Sequence, residues 1–138
     1  MIYYNGMNRQ HVLYLLFILL VLIASLHFIG QERYWYWIFW WFDLVTHFLF
    51  GLWVGIFALW ILFLSRYVGV RTFHPFRAFI FTLIAVLSVG IGWEVFEVWA
   101  GIPIKDGHTL DTVFDILMDI SGASIGCVFF NSSWILKK

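Results

Sequence analysis

The chain has 138 residues, 63% of them hydrophobic and 12% charged, and a formal net charge of zero. A soluble domain carries roughly 25% charged residues and, at this size, has too little interior to hide so much apolar surface, so lipid is the solvent that fits. Zero net charge excludes the basic footprint a nucleic-acid partner needs. A lone cysteine, Cys127, excludes an internal disulfide and a thiolate metal cluster. It stands in an apolar run and reads as a small buried residue.

A transmembrane helix needs about 20 mainly apolar residues, and four stretches of this single domain (residues 1–138) qualify. The first covers about 12–29. Arg9 ahead of it resembles the start of a signal peptide, but the apolar run is long and lacks a small-x-small cleavage site, which favours a span. Next comes Tyr34-Trp35-Tyr36-Trp37-Ile38-Phe39-Trp40-Trp41. Trp and Tyr prefer the headgroup level, so this segment is expected to be an interfacial belt leading into the second span, about 42–64. The third span covers about 76–100 and the fourth about 110–130. The link between them is short: Gly101 can take the left-handed position that ends a helix, Pro103 blocks continuation, and Thr109 can cap the next helix. The expected fold is an all-α, four-helix membrane bundle.

Four spans place Arg9, Arg66, Arg71, Arg77, Lys137 and Lys138 on one side, and Arg33 and Lys105 on the other. Six cations against two put both termini in the cytoplasm by the positive-inside rule. The acids, which that rule does not use, follow the same division. Glu32 and Asp106 fall in outer loops, while Asp43, Glu94, Glu97, Asp111, Asp115 and Asp119 fall in the outer halves of spans two, three and four.

Asp43 and His47 are spaced i, i+4 and share a helix face, which continues into Gly51 and Gly55. The fourth span repeats the plan. Asp111, Asp115, Asp119, Gly122 and Gly126 stay within roughly an 80° wedge at about 100° per residue. In the third span Gly90, Glu94 and Glu97 occupy neighbouring azimuths. Glycines let membrane helices approach closely. Each face is therefore small toward the cytoplasm and acidic toward the outside, and packing the faces together is expected to gather the carboxylates and His47 in one outer pocket.

An Asp at the centre of a membrane helix costs about 2.5–3.5 kcal/mol. Asp119 lies ten residues past Thr109, roughly 15 Å along a helix, and is thus near mid-bilayer. Glu94 and Glu97 also oppose the dipole at a helix C-terminus. Each residue has a plainer reading beside the functional one: Asp43 as a helix cap, His47 as a hydrogen-bonded core residue, Glu97 and Asp111 as solvated interfacial groups. Glu94, Asp115 and Asp119 resist such readings most. Carboxylates this close repel, so protons or a cation must neutralise some of them. Oxygen-rich ligands with one imidazole suit Mg²⁺, Mn²⁺ or Ca²⁺, with Zn²⁺ or iron as softer alternatives. The expected ligands are His47, Glu94, Asp115 and Asp119, with Asp43 as a further ligand or acid/base group. Glu97 and Asp111 form a second tier, and His27 and His108 are accessory. The glycines Gly51, Gly55, Gly90, Gly122 and Gly126 are expected to be packing devices. No Walker loop, G-x-S-x-G elbow or H-E-x-x-H motif is present.

Asp43-Leu-Val-Thr-His47-Phe48, then Glu94-Val-Phe-Glu97, then Asp115 through Asp119 to Gly122 and Gly126, resembles the VanZ-like membrane proteins and the related YjdF-type inner-membrane family. The resemblance implies a multi-pass bacterial or archaeal membrane protein, and some VanZ-like members are associated with glycopeptide resistance. His47, Glu94, Asp115 and the Gly122/Gly126 pair carry over directly. Glu97 stands where VanZ-like proteins tend to have Gln, and Asp119 where they tend to have Asn. The arginine expected between those motifs is missing, so the chain is more acidic and nearer the YjdF type.

The expected function is an outward-facing intramembrane site that binds a cation and binds or acts on an envelope lipid or lipid-linked amphiphile. Two alternatives remain open. One is a proton- or cation-coupled transporter. The other is a small scaffold subunit that uses its glycine faces for homo-oligomerisation or to join a membrane complex.

Overall fold

The computed structural model describes residues 9–65, 68, 74–101 and 108–135, apart from the side chains of residues 108, 109 and 133–135. Arg66, Arg71, Pro103, Lys105, Asp106, Lys137 and Lys138, and the side chains of His108 and Thr109, which enter the sequence reading, lie outside this part. The elements are α1 (Arg9–Glu32), α2 (Trp35–Ile38), α3 (Phe42–Leu59) with a π-helical turn (Trp60–Leu64) continuing it, α4 (Pro75–Ala100) and α5 (His108–Ile135). Four of these helices are long and apolar enough to cross a membrane, and no strand occurs among the described residues. The chain is an all-α, four-helix membrane bundle.

The aromatic segment divides its rings between two environments. Trp37, Trp40 and Trp41 are exposed, whereas Trp35 and Tyr36 turn inward onto the buried ring of Phe42, with centroids 5.4 and 4.9 Å away. The reversal after α1 needs two local devices. Tyr34 adopts a left-handed conformation (φ 57°), uncommon for a residue with a side chain. Gly30 leaves room for Phe42, whose ring would be 2.5 Å from a methyl group placed there.

α3 is the hub, packing on α5 most extensively and also on α4 and α1. Both glycine pairs are occupied inside the chain. A methyl on Gly51 would meet the Asp119 backbone, and one on Gly55 would lie 2.8 Å from the α-carbon of Ala123. From the other side, Gly122 abuts the Phe48 carbonyl, and Gly126 abuts Ile56 and the Leu52 carbonyl. The missing side chains bring the two backbones together, the close approach small residues permit in lipid. Val54, Val86 and Ala123 join α3, α4 and α5, and below them Leu59, Ala78, Cys127 and Phe130 form a second cluster in which Cys127 is a small buried residue.

α1 is the least buried span. It meets α3 through Val12, Leu16, Ile56 and Trp60, and the Trp53 indole N–H donates to the Leu16 carbonyl at 2.8 Å. The π turn ends α3 through a Ser65 N–H to Trp60 carbonyl bond of 2.7 Å, the i to i−5 spacing that distinguishes such turns. Arg9 places its guanidinium 5.5 Å from the Trp60 ring centroid, a cation–π contact at the end of the bundle remote from the acids. Pro75 opens α4, where its missing N–H is harmless, and Gly101 closes it at φ 67°. α5 begins at His108, so Thr109 stands within its first turn rather than ahead of it.

Candidate functional site

The start of α3, the end of α4 and the start of α5 meet at one end of the bundle. They carry Asp43 and His47, Glu94 and Glu97, and Asp111, Asp115 and Asp119 respectively. Asp43 does not cap α3: Trp41 holds the N-cap position and no side chain bonds there. Asp43 lies one turn before His47, and its Oδ1 is 3.8 Å from His47 Nε2. On the other side of the ring, His47 Nδ1 is 3.4 Å from Asp119 Oδ1. The side chains of His47 and Asp119 retain 9% and 3% of their exposure, against 21% for Asp43. Of these three, Asp43 is the most exposed.

Asp115 and Glu94 are buried as well. Glu94 Oε2 accepts a 2.7 Å hydrogen bond from the Thr112 hydroxyl, which ties α4 to α5. Glu94 Oε1, Asp115 Oδ1, Asp119 Oδ1 and His47 Nδ1 are buried without a hydrogen-bond partner among the described residues. Nor does any lysine or arginine there pair with Glu94, Asp115 or Asp119. Buried polar atoms are normally satisfied, and a buried carboxylate needs a proton or a cation. Glu97 and Asp111 are half-buried. Glu97 accepts a 2.9 Å bond from the Trp93 indole, and Asp111 is within electrostatic reach of Asp115.

One oxygen of Asp43, one nitrogen of His47 and one oxygen of Asp115 lie within 4.8 Å of one another. Two ligands held about 2.0–2.5 Å from one ion are at most about 5 Å apart, so these three atoms have the spread of a single coordination shell. Of the four ligands expected from the sequence, His47 and Asp115 enter this convergent set and Asp43 joins them. Asp119 approaches the opposite ring nitrogen, and Glu94 is engaged by Thr112.

A layer of polar groups between the cluster and the interfacial segment is not evident in the sequence. Thr46 donates to the Asp43 carbonyl at 2.8 Å, the Tyr36 and Thr46 side chains are hydrogen-bonded, and the Tyr36 hydroxyl is 2.9 Å from His27 Nδ1. Burial pushes the Tyr36 hydroxyl up to about 12, against the pull of its bond to Thr46, so it stays protonated at neutral pH. The sequence offered one usable signal: Thr112 stands three residues before Asp115 and so shares its helix face.

Fold and site together define a multi-pass α-helical membrane protein with a buried carboxylate–histidine cluster at one end of its bundle. The sequence matches the family described as "Predicted membrane protein (DUF2238)" over residues 4–134, and the chain belongs to that family. No curated protein and no solved structure matches it.

Proposed function

We infer that the chain, acting as one transmembrane domain, holds a divalent cation at Asp43, His47 and Asp115 and uses it to bind or act on the phosphate of an envelope lipid or lipid-linked amphiphile. The observation that carries this reading is the convergence of three donor atoms within 4.8 Å beside buried carboxylate oxygens that lack a partner among the described residues. A cation removes the repulsion among the acids and can polarise a phosphoryl oxygen or a water. Six of the eight lysines and arginines fall on the opposite side of the membrane, which supports an outward-facing site in a prokaryotic plasma membrane with both termini cytoplasmic. A site on that side of the membrane meets outer-leaflet lipid first. The resemblance to VanZ-like and YjdF-type proteins supports an envelope role, and the extra acids at Glu97 and Asp119 favour the YjdF type.

A proton-based version has its own support, because protons satisfy the same unpartnered oxygens and such acids serve as relays in transporters. The scaffold alternative loses ground because both glycine pairs are already occupied within the chain.

The deciding experiment is elemental analysis of protein equilibrated with Mg²⁺, Mn²⁺ or Zn²⁺ and freed of excess ion. The expected result is one ion per chain in the wild type and none in Asp43→Asn or Asp115→Asn. A wild type without stoichiometric metal overturns the cation reading and leaves the proton-based one.

A further inference from the structure

We propose that Asp119 is not a ligand of the cation but a positioning residue: it receives the Nδ1–H of His47 and so presents Nε2 to the ion held with Asp43 and Asp115. This inference rests on the cation reading above and goes beyond it by dividing the acids between two tasks. The two nitrogens of an imidazole point away from each other, so one ring cannot offer both to a single ion. Asp43 lies on the Nε2 side and Asp119 on the Nδ1 side, so an ion held by Nε2 beside Asp43 leaves the Asp119 oxygen across the ring from it.

The surroundings of Asp119 fit that task. Its backbone is seated against Gly51, and a methyl on Gly90 would lie 2.6 Å from its Oδ2. The carboxylate is thus lodged between α3 and α4 in a slot that two missing side chains create, with Oδ1 directed at His47. The 3.4 Å separation is a few tenths of an ångström beyond an ordinary N–H···O bond. Metal-bound histidines generally donate their second ring N–H to such an acceptor, and losing it typically weakens metal binding about 10- to 100-fold without removing a ligand. Both side chains are buried, 9% and 3% exposed, which limits competition from water for that N–H and lets the carboxylate fix the tautomer.

The test uses the full chain in detergent micelles with Co²⁺ as the probe, and histidine labelled with ¹⁵N in the ring, the His47 signals being assigned with His47→Gln. The expected result for Asp119→Ala is one bound Co²⁺ per chain, held about 10- to 100-fold more weakly, and, in the metal-free protein at a pH alkaline enough to leave the ring neutral, His47 ¹⁵N shifts moved toward a mixture of tautomers. Asp119→Asn, whose amide oxygen can still accept the N–H, should recover most of the affinity and the single tautomer. Loss of all Co²⁺ from folded Asp119→Asn overturns the proposal by making Asp119 a ligand. Wild-type affinity together with unchanged ¹⁵N shifts in Asp119→Ala overturns it by removing any role. In metal-free wild type at the same alkaline pH, a neutral ring with its proton on Nε2 instead of Nδ1 overturns the assignment. A wild type that binds no Co²⁺ but whose neutral ring carries its proton on Nδ1 alone defeats the cation reading while upholding the Asp119–His47 pairing.

Discussion

The backbone of Asp119 lies directly against Gly51: a methyl group on that glycine would be 2.6 Å from the carbonyl carbon of Asp119 and closer still to its oxygen. The contact that locks α3 to α5 is therefore also the contact that sets the depth of the acidic cluster. Packing and site are one structure here, because the helix faces that approach most closely are those that carry the acids.

Substituting these glycines should separate into two classes. Gly51→Ala and Gly122→Ala place a methyl against backbone, which cannot rotate away. Overpacking of this kind costs about 1–3 kcal/mol or more, and the resulting shift of α5 should lower metal occupancy as well. Gly92, where a methyl would have nothing within 4 Å of it, is the internal control. Thermal unfolding in detergent should show a clear loss for the first two variants and no loss for Gly92→Ala. Equal effects at all three positions would mean that helix propensity, not the α3–α5 contact, governs stability.

Thr112 and Glu94 yield a second prediction. The Thr112 hydroxyl is the hydrogen-bond donor to a buried carboxylate, and valine has nearly the same shape without the donor. Leaving a buried acceptor unsatisfied costs about 1–3 kcal/mol. Thr112→Val should therefore unfold at lower temperature than wild type, and Thr112→Ser should recover most of the difference. A Thr112→Val protein as stable as wild type would show that Glu94 has another way to satisfy Oε2.

The parts of this arrangement legible in the sequence are those encoded by period. Asp43, His47, Gly51 and Gly55 repeat every four residues, as do Asp111, Asp115 and Asp119, and that spacing alone puts acids and glycines on facing stripes. What the spacing could not give is the allocation of roles. Whether Asp119 shares an ion with Asp115 or serves His47 depends on which ring nitrogen faces which carboxylate, and that is set by the α3–α5 approach and by the slot at Gly90. The partners of Tyr36 and Thr112 were not legible for a different reason. Hydroxyls near membrane interfaces are ordinary, and only the approach of another element shows that these meet His27 and Glu94. The aromatic segment stands out by composition, but the inward turn of Tyr36 onto Phe42 depends on the space left by Gly30.

α1 should be the first span to loosen. It is the least buried, and one of its ties to α3 is the 2.8 Å bond from Trp53 to the Leu16 carbonyl. Trp53→Phe removes the donor and keeps a ring able to stack on Phe57, whose centroid is 4.9 Å away. Hydrogen bonds between membrane helices average about 0.6 kcal/mol, so a small loss is expected, confined to α1. Hydrogen exchange should rise in α1 and remain unchanged in α5. Exchange that rises throughout the bundle would show that α1 is integral to the packing of the other spans.

The direction in which the site opens can be read independently of its chemistry. Trp40, 79% exposed, lies at the acidic end, and Phe76, 75% exposed, lies at the other. With Cys127 replaced by alanine, a cysteine at position 40 should react with a membrane-impermeant maleimide in intact cells, and one at position 76 only after permeabilisation. This follows from the distribution of lysine and arginine, which acts during insertion, and owes nothing to whether a cation binds. The reverse labelling pattern would put Asp43, His47 and Asp115 on the cytoplasmic side. It would remove outer-leaflet lipid as the substrate class while leaving the cluster's capacity to hold an ion intact. Orientation and coordination therefore stand or fall separately, and labelling has to be done before any lipid is offered to the purified protein.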